Sequence, residues 1–125
     1  MKEKRFNNYF DLEERTFKFA RNISKLLKSL PVNISNIEYF KQLIRSSASI
    51  GANYLEANEA LSKKDFLMRV KISRKEAKES VYWLKLIMET NTKDIKENLL
   101  SSCREAIELK KILSKIILNS EAKEE

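Results

Sequence analysis

Histidine is absent from this 125-residue sequence, and glycine, proline and cysteine each occur once. Without histidine the chain lacks the commonest general base and metal ligand. The Ser-His-Asp and Cys-His nucleophile systems and the Glu-x-x-His motif of di-iron bundles go with it. One glycine cannot build a phosphate-binding loop, and a hairpin-rich β fold needs turn formers at each reversal. Cys103 has no internal partner for a disulfide, which suits a reducing cytoplasm, and its expected role is a small packing residue on a helix. No apolar run reaches the roughly 18 residues of a membrane span. The charged opening Met1–Arg5 leads into no apolar stretch, so a signal peptide is not expected. These absences predict a cytoplasmic, non-enzymatic chain with no cofactor and no metal.

What is present is helix-forming material. Hydrophobic residues make up 42% of the chain and charged residues 34%, enough for one packed core and too little length for two. The formal charge is +7, unevenly spread. Residues 1–30 and 62–90 each carry a net +4, residues 31–61 a net −1, and residues 91–125 balance. The excess therefore sits on the first and third segments, where an anionic partner would be drawn.

Periodicity divides the chain into a flexible segment 1–10, a four-helix region 11–119 and a frayed tail 120–125. Phe6, Tyr9 and Phe10 of the lead-in are available to dock. Asp11, with Glu14 three residues on, reads as the cap of helix one. Leu12, Thr16, Phe19, Ile23, Leu26 and Leu30 then form one stripe, ended by Pro31. Ser35 or Asn36 is expected to cap helix two, with a stripe from Ile37 through Ile44, Gly51 and Leu55. Ser62 and Thr92 are expected to cap helices three and four. Short connections make the fold class all-α, an antiparallel up-down-up-down four-helix bundle. The small run Ser46–Ala52 predicts a close crossing, so leucine at Ala48 or Gly51 should disrupt folding or assembly. Surplus apolar positions (Leu43, Ile50, Tyr54, Leu67, Ile72 and Trp83) suggest a subunit interface.

Two constellations could carry function. Lys18, Arg21, Lys25 and Lys28 step along helix one, and Lys71, Arg74, Lys75, Lys78 and Lys85 along helix three with Tyr82 interleaved. Such stripes suit a phosphate backbone, although a solvated helix face carries lysines too. On faces expected to be partly buried lie Asn53, Glu56 and Asn58 of helix two and Glu76 and Glu79 of helix three, with Arg45, Asn53, Lys75 and the Trp83 indole N–H as candidate partners. Buried carboxylates need such partners, which favours a network fixing helix register over a catalytic or metal-binding pair.

Residues 42–57, QLIRSSASIGANYLEA, resemble the second-helix signature of the bacterial four-helix-bundle family, also called the large-subunit rRNA intervening-sequence protein or S23 family. Ser62–Phe66 and Lys75–Leu84 are similar to its third-helix signature, and the likeness extends over about residues 10–118. Ala57 stands where many relatives have glycine. The resemblance implies a ring-like homopentamer and no catalytic residues. It also implies recurrent polar positions at Arg45, Ser49, Asn53, Glu56, Glu76 and Glu79. Some members are encoded within rRNA-gene insertions, and related accessory proteins of diversity-generating retroelements bind a reverse transcriptase and nucleic acid. The leading expectation is a homo-oligomer that binds RNA or DNA backbone. The alternatives are an adaptor for an acidic protein such as a polymerase and, more distantly, a metal-dependent hydrolase using Glu56, Glu76 and Glu79.

Overall fold

The computed structural model describes the backbone of residues 2–123 and the side chains of residues 11–123. Over these residues the chain forms four helices: α1 (Lys2–Leu27), α2 (Ile34–Asn58), α3 (Lys63–Thr90) and α4 (Lys93–Ala122). The helix ends differ from the sequence expectation at several points. The backbone of α1 is helical from Lys2, so Asp11 lies inside the helix and is no cap. Residues 2–10 contain no glycine or proline to stop it. The expected docking of Phe6, Tyr9 and Phe10 lies outside the described side chains. At the other end α4 continues past Asn119 to Ala122, helped by an ion pair of 3.2 Å between Glu121 and Lys71.

α1 stops at Leu27, before the position that Pro31 alone would dictate. The amides of Ser29 and Leu30 turn back onto the carbonyls of Leu26 and Leu27, and Leu30 is buried. Lys28 thus sits on a turn beyond the helix. Asn33, neither Ser35 nor Asn36, caps α2, its side chain accepting from the Asn36 amide at 2.9 Å. Asn36 is instead buried and exchanges two amide hydrogen bonds with Asn91, at 3.0 and 2.9 Å. This pair ties the α1–α2 connection to the α3–α4 turn. Ser62 caps α3 through the Asp65 amide as expected, and Thr92 occupies the cap position of α4 without a side-chain bond.

The helices form a square in which α1 touches α2 and α4, and α3 touches α2 and α4. Cross-helix contacts fix the directions. Ser46, Ile50 and Asn53 of α2 meet Ser80, Ser73 and Arg69 of α3, in descending order. Glu13 and Thr16 of α1 lie against Asn58 and Gly51 of α2, and Glu89 pairs with Lys96 across the α3–α4 turn. Successive neighbours therefore run antiparallel. The centre holds Ile23, Leu43, Ile50, Tyr54, Val70, Leu84, Ile87, Leu99, Leu109 and Leu113, all closed to solvent or nearly so. Cys103 is buried here too, and burial pushes its thiol up, against a smaller opposing effect of Lys85.

Packing reverses the two apolar sides expected of α2. Leu43, Ile50 and Tyr54 are core, as is Leu67 of α3, while Ile37, Ile44 and Leu55 stay exposed. Ile72 and Trp83 are half-buried. Both stripes have helical period, and only the position of α3 decides which one turns inward. The close approach expected in the small run is present. Ser46 and Ser80 hydroxyls meet at 2.9 Å, and Ser73 donates to the Ile50 carbonyl of the neighbouring helix at 2.7 Å.

Gly51 marks a second tight contact, with α1. A Cβ there would lie 2.9 Å from Thr16 Oγ1 and 3.2 Å from Thr16 Cβ. Ala48, in contrast, is exposed in the single chain, so within one chain only Gly51 restricts bulk. Overpacking costs about 1–3 kcal/mol, whereas alanine returns about 1 kcal/mol of helix propensity. Gly51→Ala should therefore lower stability by about 1 kcal/mol in urea unfolding, and become neutral or stabilising in a Thr16→Ala background. Gly51→Leu should cost about 2 kcal/mol or more in any background. Equal effects of Gly51→Ala in both backgrounds would contradict the contact.

Candidate nucleic-acid interface

The side of α3 facing away from the core carries Lys64, Met68, Lys71, Lys75, Lys78, Tyr82 and Lys85 at steps of three and four, all exposed. Lysine is tolerated there because its stem lies along the helix while its ammonium stays hydrated. Lys71 is engaged with Glu121. Lys75, Lys78 and Lys85 enter no ion pair among the described residues, and half-buried Arg74 flanks them. On α1, Lys18 is paired with Glu14 at 3.0 Å, while Arg21 and Lys25 are exposed and unpaired among the described residues. Lys28 extends this row from the turn. Because α1 and α3 are diagonal, one chain presents two separate cationic rows.

An aromatic group borders the α3 row. Trp83 stacks on Tyr39 of α2 with ring centres 6.2 Å apart. Tyr82 stands edge-on to Trp83 at 5.1 Å and 83°. Tyr82 is 60% exposed, so most of its surface stays open to solvent.

The second constellation is assembled in part. Arg45 reaches Glu76 at 3.2 Å and Glu79 at 2.9 Å. Glu76 is only 6% exposed, and its Oε1 is buried without a hydrogen-bond partner among the described residues. Burial pushes the Glu79 carboxyl up, but side-chain hydrogen bonding with the Glu76 carboxyl and with the Arg45 guanidinium outweighs this. With a smaller contribution from Lys75, they hold it below its ordinary value. The same two carboxylates, Glu76 first, raise the Arg45 guanidinium. Asn53 donates to the Ser49 carbonyl at 2.9 Å and accepts from Arg69 at 3.3 Å. Glu56 is exposed and joins neither carboxylate among the described residues.

The arrangement spans α2 and α3 with a cation between two carboxylates, which suits the fixing of register. Among the described residues, no group of three or more metal-ligating side chains is placed to hold an ion. Arg69 was not singled out from the sequence, though it shares the line of Ile72, Glu76, Glu79 and Trp83. The fork between Arg15 and Glu105, at 2.7 and 2.8 Å, was missed as well. It links the sparsely packed α1 and α4, and no local pattern announces a pair 90 residues apart.

The chain is thus a four-helix bundle with cationic outer faces and a polar seam between its second and third helices. The profile of the 23S rRNA-intervening sequence protein family matches residues 10–115, and the chain belongs to that family. It is similar to the crystal structure of a protein of unknown function from the S23 ribosomal protein family of Bacteroides thetaiotaomicron VPI-5482. The two are 34% identical, with 85% of this chain and 97% of that one covered and a TM-score of 0.73. No curated protein matches the sequence. Among the described residues, no helix is long and apolar enough to cross a membrane.

Arg45 is half-exposed, so its pairing is partly screened, and Arg45→Met should cost about 1–2 kcal/mol in urea unfolding. The pH dependence has a definite sign. A carboxyl lowered from 4.5 contributes stability that is complete above that value and is lost as pH falls through the lowered one. Glu79→Gln should thus be less stable than the parent near neutrality, and the gap should narrow in acid below 4.5. A gap that does not change with pH would show that the ion pair contributes nothing.

Proposed function

We propose that this protein is a non-enzymatic, self-assembling bundle that binds the backbone of RNA or DNA through the outward faces of α1 and α3. The observation carrying this reading is the row Lys75, Lys78 and Lys85, three exposed cations along one side of α3, none of them within ion-pair distance of a carboxylate among the described residues. On α1, by contrast, Glu14 and Lys18 close an i, i+4 ion pair at 3.0 Å. The family's name, which refers to an intervening sequence of 23S rRNA, is consistent with a nucleic-acid setting.

Self-assembly is supported by the outer side of α2. Ile37, Ile44, Ala48 and Leu55 lie along one line of that helix and are exposed, with Phe17 of neighbouring α1 exposed as well. Contiguous apolar surface of this kind marks contact sites, and the family resemblance makes a ring of five chains the expected state. Such a ring would repeat both cationic rows around its circumference.

A second reading has its own observation. Leu67, Met68 and Ile72 form a shallow apolar depression bordered by Lys64, Lys71 and Lys75, which suits an acidic amphipathic segment of a partner protein such as a polymerase.

Two measurements test the proposal. In a salt titration, RNA or DNA should be retarded at low salt and released as salt rises. Replacing Lys75, Lys78 and Lys85 by glutamine should flatten the dependence of log K on log salt by about 0.7–0.9 for each phosphate no longer neutralised. No retardation at low salt would end the nucleic-acid reading. In light scattering, the parent should exceed the 14.7 kDa of one chain, and Ile44→Glu with Leu55→Glu should return it to that mass. A parent already monomeric at micromolar concentration would end the assembly reading.

A further inference from the structure

We infer that the α3 face is built for single-stranded nucleic acid, with Tyr82 as the platform on which a base stacks between the ammonium groups of Lys78 and Lys85. This rests on the backbone-binding reading and adds to it the form of the ligand.

Three observations converge on Tyr82. It is 60% exposed within a cationic row, where a hydrated polar residue would serve solubility better than an aromatic one. Its ring packs perpendicular to Trp83, at 5.1 Å and 83°, and Trp83 is in turn backed by Tyr39. The perpendicular contact leaves the phenol 60% exposed. Finally, Lys78 and Lys85 lie four and three residues away on the same side of the helix, about 6 Å and 4.5 Å along its axis. Neither is committed to a carboxylate among the described residues.

The two kinds of group ask different things of a ligand. Lysines alone attract any polyanion and do not distinguish a duplex from a single strand. A base inside a duplex offers its face to its neighbours, whereas an unstacked base can lie on an aromatic ring. A ring flanked by cations thus selects strands whose bases are free, with little preference among the four because each has a π face. The phenol hydroxyl is not needed for this, so phenylalanine or tryptophan should replace tyrosine.

Fluorescence polarisation on the full chain tests the inference, using labelled poly(U) and poly(dT) probes of about 20 nucleotides, longer than one stacking site needs, and a mixed-sequence duplex of the same length. Single strands should bind more tightly than the duplex at matched salt. Tyr82→Ala should weaken single-strand binding on the order of tenfold and leave duplex binding unchanged, while Tyr82→Trp retains affinity. Because stacking releases no counterions, Tyr82→Ala should shift the salt line without changing its slope. Lys78→Gln and Lys85→Gln should instead reduce the slope. Tyr82 is exposed, so its variants should fold, and circular dichroism will confirm that they do. If Tyr82→Ala binds single strands as the parent does, or the duplex binds more tightly, the inference falls while the backbone-binding reading stands. If no probe binds at low salt, both fall. Comparison of poly(U) with poly(dT) reports whether RNA or DNA is preferred.

Discussion

The close approach of α2 and α3 governs the rest of the molecule. Ser73 could not donate to the Ile50 carbonyl at 2.7 Å if either helix carried bulk at that level. Ser46, Ser73, Ala77 and Ser80 are all buried there. Serines are acceptable because each hydroxyl finds a carbonyl or another hydroxyl. Ser46 turns to Leu43, and Ser80 to Glu76. A buried hydroxyl without such a partner would cost about 1–3 kcal/mol. The seam fixes distance and register through the two contacts that cross between the helices, Ser73 to the Ile50 carbonyl and Ser46 to Ser80, since sliding one helix by a turn would break both. Register in turn places Arg45 opposite Glu76 and Glu79. The ion pair reports the alignment more than it creates it.

Most of the fold was legible because its signals are local. The stripe of α1, the cap at Ser62, the small run in α2 and the absence of turn formers each depend on a few neighbouring residues. What was misread depends on tertiary context. α2 offers two apolar stripes of the same period, one through Leu43, Ile50 and Tyr54 and the other through Ile37, Ile44 and Leu55. Nothing in the helix itself says which will face α3. The helix ends were misplaced for a related reason. Asp11 has the chemistry of a cap, but with no breaker before it the helix simply continues. Asn36 looked like a cap and proved to be half of a buried amide pair whose other half, Asn91, lies 55 residues away.

The candidate site was legible to a different degree. Every lysine of the α3 row lies on the outer surface, because a residue type that resists burial identifies the exposed side once the core stripe is known. Sequence could not tell which of them are neutralised. Lys18 and Lys71 belong to the rows by spacing, yet each has a carboxylate nearby, at 3.0 and 3.2 Å. Glu14 was in view at i−4, whereas Glu121 comes from another helix. The carboxylate seam was legible together with its cation. Its extent was not, since Glu56 faces outward and Arg69 takes part.

Seam and cationic face are not independent. Tyr82 and Trp83 are adjacent in the chain and about 100° apart around the helix, so one lies on the outer face and the other along the seam. Trp83 can rest on Tyr39 only because α2 is held close enough for the two rings to meet. The fixed indole then becomes the wall against which Tyr82 stands. An exposed aromatic side chain normally samples several rotamers and gives up that freedom on binding. A ring already braced by its neighbour gives up less. The serine contacts that set the spacing of α2 and α3 thus also pre-arrange the outer ring, linking a packing constraint in the core to the binding surface proposed for α3.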